Sequence, residues 1–240
     1  RIPVGRWPRS CAVTPDGSRL AVGLSGDSQI AIVDTDAREV LYEEPISGGI
    51  NIGHMQASAD GTHVYFPWMN YRTNPMDVGN TRRGWVLASR IGRVRFDGPA
   101  YREAISLDVP RLAVADPHGL AITPDEQRMA VTSSGTHEVL VYRIPKMPFV
   151  GAGGPGDLID EKLLRDNDAF YRIAVGGRPM GIRRSNDNRR LFIANHVLDT
   201  VKIVDLDSRQ LTQSIRLGDS PDDAHTQLVH RGMEIFHDAG

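Results

Sequence analysis

Asp116 to Ile144 reads DPHGLAITPDEQRMAVTSSGTHEVLVYRI. Leu120 and Ile122 alternate with smaller or polar residues and lead into a Pro124-Asp125 turn. A second apolar run, Met129 to Thr132, ends in a Ser-Gly loop at Ser133 to Thr136, and a third follows at Val139 to Ile144. Short segments of period two joined by turn residues predict an antiparallel meander of three strands.

The unit recurs. Aligned on the turn aspartate, it reappears around Asp16 (WPRSCAVTPDGSRLAVGLSGDSQIAIVDT), Asp60 (GHMQASADGTHVYFPWMN) and Asp187 (RPMGIRRSNDNRRLFIANHVLDTVKIVDL). The four aspartates stand 44, 65 and 62 residues apart. A period near 44 with insertions suits a four-stranded propeller blade better than a hairpin or a βαβ unit. Each repeat has room for an outer fourth strand, at 39–46, 102–109, 171–175 and 211–217. The expectation is an all-β propeller of four-stranded antiparallel blades over residues 1–218, with a linker and short C-terminal helix over 219–240.

Composition sets limits. With 40% hydrophobic residues the 240-residue chain can bury a sizeable core, and 24 Gly and 15 Pro fit a turn-dense protein. A net charge of −2 gives no reason to expect a nucleic-acid partner, and no apolar run is long enough to span a bilayer. One cysteine, Cys11, excludes an internal disulfide and a CxxC metal or haem attachment within these residues. Four blades are the lower limit for a closed ring. A half ring would leave Val, Ile and Leu in water, each forfeiting roughly 1.5–3 kcal/mol of burial. Arg1 to Val4 reads as the last strand of a preceding blade, so the repeats are expected to belong to a larger ring of about seven. Closure by dimerisation is the alternative.

The first repeat, with its apolar strand, Pro15-Asp16-Gly17 turn and third strand ending in Val33-Asp34, resembles the YVTN-type propeller family. The resemblance runs over residues 5–218 and implies a fold rather than a chemistry, because propellers host unrelated functions.

In such a meander the approach to strand one and the loop between strands two and three share a face, opposite the Pro-Asp turns. His54 and His118 start inner strands, as do Arg9 and Met180, while His137 and His196 lie in the second loops. Between strands two and three of the second repeat, Asn70 to Arg90 replaces a few residues, and loops of this length usually bind something or are disordered. Trp68, Tyr71 and Trp85 favour an ordered loop, and Asn70 and Arg72 belong to it. These residues define a candidate binding face for a protein or small-molecule partner. An inner-strand histidine most often hydrogen-bonds the backbone of the next blade. Neutral imidazole also ligates copper or zinc, but no HxxH or HExxH spacing supports a metal site, and none is expected.

Other features weigh less. Gly151, Gly153 and Gly156 have G-x-G-x-x-G spacing, yet Pro145, Pro148 and Pro155 deny them the strand a dinucleotide fingerprint needs. A surface loop with a short helix at 158–165 is expected, and Asp166 and Asp168 read as solvated. Arg183-Arg184 falls where other inner strands carry apolar or small residues. An ion pair with a neighbouring blade is the expected resolution, something anionic beside the blade the alternative.

After Leu217 the repeat stops, and 227–238 reads as a short amphipathic helix. Its phrase Arg231-Gly232-Met233-Glu234-Ile235-Phe236-His237-Asp238-Ala239 resembles the opening of the di-haem cytochrome c peroxidase-like domain, which precedes a CxxCH haem site. The resemblance implies a following haem c domain in the same polypeptide and a periplasmic or extracellular location. No catalytic residue carries over onto this chain. It implies a binding and scaffolding propeller of a haem oxidoreductase. A non-catalytic interaction module is the second reading. The third is a hydrolase, because Asp116-Pro117-His118-Gly119 to Asp125 with Val139 to Tyr142 is similar to blades of lactonase propellers acting on 6-phosphogluconolactone. There His118 would be the base, with Arg9, Arg72, Arg82 and Arg83 available for phosphate.

Overall fold

The computed structural model describes residues 1–46, 48–82, 86–98, 103–112, 114–151, 158–218 and 223–238. The first repeat is a sheet of β1 (Pro8–Val13), β2 (Arg19–Leu24), β3 (Gln29–Asp34) and β4 (Glu39–Pro45) in chain order. The second contains β5 (Gly49–Ile50) and β6 (Gln56–Ala57), both paired to β7 (His63–Tyr71), then helix α1 (Val78–Arg82), β8 (Leu87–Arg95) and β9 (Glu103–Ser106). The third comprises β10 (Pro117–Ile122), β11 (Arg128–Ser133), β12 (Glu138–Arg143) and, after β13 (Val150–Gly151) and α2 (Glu161–Arg165), β14 (Phe170–Ala174). The fourth is β15 (Pro179–Arg184), β16 (Arg190–Asn195), β17 (Thr200–Asp205) and β18 (Gln210–Arg216), followed by α3 (Ala224–Phe236). All pairings are antiparallel, and the four sheets are propeller blades.

Period-two alternation explains how blades stack. Leu140 and Tyr142 point into the core shared with the second blade, where they meet Tyr65, Ile91 and Ile105. Val139 and Val141, their neighbours in sequence, point the other way, to Ile182, Leu191 and Ile193 of the fourth blade. Ile30 and Ile32 likewise meet Phe66, Trp68 and Val94 between blades one and two. The third blade therefore has core on both faces, whereas every residue of β18 is exposed.

The turn chemistry repeats with the strands. Thr14, Ser58, Thr123 and Ser185 each donate a hydroxyl hydrogen bond to the aspartate two residues on, and the same carboxylate accepts the N–H of Ser18, Thr62, Gln127 or Arg189. These bonds hold the Asp16 and Asp60 carboxyls down at about 2.

Several local expectations change. Arg1 to Val4 is not strand; Ile2 and Val4 instead pack on the outer side of the first blade. The insertion after β12 is no plain loop, since β13 crosses over and adds to the outer edge of the second blade beside β9. Its helix is shorter than expected, capped by Asp160, whose side chain accepts from Lys162 N. Helix α3 starts earlier, where the Asp223 side chain accepts from Thr226 N. Gly153 and Gly156 lie outside the described residues.

Candidate functional site

Each compact blade ties the approach to its first strand against its second turn. Ser25 N and Gly26 N donate to the carbonyls of Trp7 and Arg6 at 3.1 Å, Ser134 N to Asp116 at 3.0 Å, and His196 N to Arg178 at 2.9 Å. Strand starts and second turns thus share one face, and the Pro-Asp turns lie on the other.

Near the middle of this face, inner strands of successive blades bond to one another. Met55 N donates to Ser10 Oγ (3.0 Å), His54 N to the His118 carbonyl (2.8 Å), and His118 Nδ1 to the Met180 carbonyl (3.3 Å). The His54 and His118 rings meet edge to face, with centroids 4.8 Å apart. Burial lowers both imidazole pKa values. At His54 the His118, Arg183 and Arg9 charges add to the effect; at His118 the Met180 carbonyl and Asp116 oppose it. Nδ1 of His54 is buried without a hydrogen-bond partner among the described residues. Beside the pair opens a cavity of about 470 Å³ reached by Cys11, His54, Gln56, Arg183 and Arg184.

The expected face residues separate into groups. Arg9, His54, His118 and Met180 are brought together, with Arg9 donating to Asn51 Oδ1 at 3.3 Å. His118 follows the structural pattern expected of an inner-strand histidine, and so does His137, whose Nδ1 donates to the Gly177 carbonyl of the next blade. Nε2 of His137 lies 3.9 Å from Asp238, just beyond α3. His196 is exposed in the corresponding turn. Trp68 is not on the face: 2% exposed, it fills the core between blades one and two. Asn70 and Tyr71 are not loop but the end of a nine-residue β7, paired with Ala88 and Leu87 of an equally long β8. Arg72 N continues this ribbon to the Val86 carbonyl at 2.9 Å, and Tyr71 is exposed. Trp85 lies outside the described residues, as does Arg83.

One residue of the site escaped the sequence reading. Arg178 pairs with Asp116 at 3.2 Å across blades three and four. The signal was available, since Trp7-Pro8-Arg9, Asp116-Pro117-His118 and Arg178-Pro179-Met180 occupy the same repeat position. Arg183 was expected in an ion pair and makes none among the described residues: its Nη1 donates to the Ile182 carbonyl at 2.9 Å, while Arg184 donates to Asn186 at 3.2 Å. No group of three or more metal-ligating side chains occurs among the described residues.

No protein-family profile and no curated protein matches the chain. Solved structures do. Hydrazine synthase from Kuenenia stuttgartiensis superposes with a TM-score of 0.69 at 18% identity, over 82% of this chain and 58% of that one. A functionally unknown protein from Desulfotomaculum acetoxidans gives 0.60 at 15% identity, over 91% and 59%. Streptogramin B lyase gives 0.57 at 13%, over 90% and 56%. At these identities the likeness is one of fold, the β-propeller. The chain spans less than two thirds of each neighbour's length.

Proposed function

We propose that the chain is the binding and scaffolding propeller region of a larger periplasmic haem oxidoreductase, holding a partner or substrate against a following haem domain. The observation that carries this reading is the placement of α3. The helix bearing the peroxidase-like phrase lies on the strand-start face, with Asp238 beside His137 and a cavity of about 480 Å³ between Gln227, His230 and Glu234 of the helix and Asp199 and Arg216 of the fourth blade. A domain continuing from α3 would begin on the side where the histidines lie. With Cys11 as the one cysteine, these 240 residues hold no CxxCH motif, and a c-type haem would have to attach elsewhere in the parent polypeptide. The cofactor supplies the electron chemistry; the propeller binds and orients.

The test is an absorption spectrum of the parent polypeptide made in cells that mature c-type haem. A c-type Soret band is expected. A parent polypeptide without one overturns the haem assignment and leaves the interaction module.

A second reading has its own support. With Nδ1 of His118 engaged by Met180, Nε2 carries the lone pair, and the lowered pKa keeps it available near neutrality. Arg9, one of the arginines expected to hold phosphate in a lactonase-like hydrolase, lies close enough to influence that imidazole. Hydrolysis of 6-phosphogluconolactone abolished by His118→Ala would establish it, and no turnover would remove it.

A further inference from the structure

Arginines in this protein are mostly paired with carboxylates. Arg6 with Asp27, Arg19 with Asp34, Arg93 with Glu103, Arg128 with Asp207 and Arg209 with Asp168 are examples, on every side of the blades. The arginines lining the axial cavity, Arg183 and Arg184, are among those that are not. Among the described residues, Arg183 and Arg184 have only a carbonyl and an amide oxygen as acceptors. The carboxylate that acts on His118, Asp116, is engaged by Arg178. None of the residues lining the cavity is acidic.

A cation left without a counter-charge beside a concave surface is a focus of positive potential. At the positions equivalent to Arg183, the other inner strands carry Ala12, Gln56 and Ala121, so the repeat itself does not require a guanidinium there. Ile182 and Leu120 under the cavity floor are buried, which leaves its accessible wall polar. His54 offers an imidazole whose Nδ1 lacks a partner. Arginine forks recognise planar or tetrahedral oxyanions by paired hydrogen bonds.

We infer that the axial cavity is a binding site for a small polyanion carrying carboxylate or phosphate groups, held by Arg183 and Arg184 with His54 as a further contact. The site stands on the blades alone and does not depend on a haem domain.

Calorimetric titration of the chain at low salt with citrate and, separately, inorganic phosphate tests the site and tells carboxylate from phosphate. Saturable binding of at least one anion is expected, weakened about tenfold or more in the Arg183→Gln, Arg184→Gln double variant. Arg165→Gln, on the distant α2 and paired with Glu161, is expected to leave the affinity unchanged. Cys11 provides a second readout, as the sole thiol and a lining residue. Anionic iodoacetate should alkylate it faster relative to neutral iodoacetamide than in the double variant, and citrate should slow the reaction. Absence of binding by both anions, or equal affinity in the parent chain and the double variant, overturns the inference.

Discussion

His54 and His118 show how backbone spacing fixes a site at the scale of single residues. Their rings touch because Gly53 and Gly119 let adjoining inner strands approach closely; a methyl at Gly53 would press on the His118 carbonyl, and one at Gly119 on that of Met180. Gly53→Ala is therefore expected to cost about 1–3 kcal/mol of stability, measured by urea unfolding. Burial keeps both imidazoles neutral in the native state, whereas the unfolded chain takes up protons near the ordinary value of 6.5. Native pKa values below unfolded ones make stability fully present above about pH 6.5 and lost as pH falls through the native values. Urea midpoints should decline from pH 7.5 to pH 5, with a shallower decline in His54→Gln. The turn carboxyls Asp16 and Asp60 add a second loss, from the ordinary value of 3.8 down toward about 2. The histidines were legible in the sequence as inner-strand starts. Their contact was not, because it depends on two glycines and on which blade lies next.

At the scale of elements, strand alternation and Pro-Asp turns carried the fold. The serine or threonine two residues before each aspartate completes the turn, and Thr123 shows why: its buried hydroxyl donates to Asp125 and accepts from Arg128 N at 2.9 Å. Thr123→Val should cost about 1 kcal/mol, read as a shift in the urea midpoint. Trp68 was misassigned because an aromatic residue next to a long insertion resembles a loop anchor. In fact the insertion is partly strand, which carries Trp68 down into the core. Trp68→Ala should cost about 3–5 kcal/mol and loosen the contact between blades one and two. Strand β13 left no trace in periodicity, since two residues cannot display one.

At the scale of the whole molecule, stability is shared between neighbouring blades rather than held in a single centre. Blade three is packed on both faces, while blade four carries Leu211 and Ile215 exposed on its outer strand. Amides of β11 and β12 should then exchange with deuterium far more slowly than those of β18. Equal protection in the two blades would mean that blade four is covered in solution. The fold was legible because each blade repeats the same local rules. Arg183 was assigned an ion pair because that is the usual fate of such a residue, whereas the structure gives its guanidinium a backbone carbonyl.

On this account the anion binds in the axial cavity, between the inner strands of successive blades. Amide chemical-shift mapping of the isotopically labelled chain during titration with citrate tests it most directly. Shifts confined to residues around Cys11, His54, Gln56 and Arg183 are predicted. Shifts clustered at Asp16, Asp60 and Asp125, with Cys11, His54 and Arg183 unmoved, would contradict it.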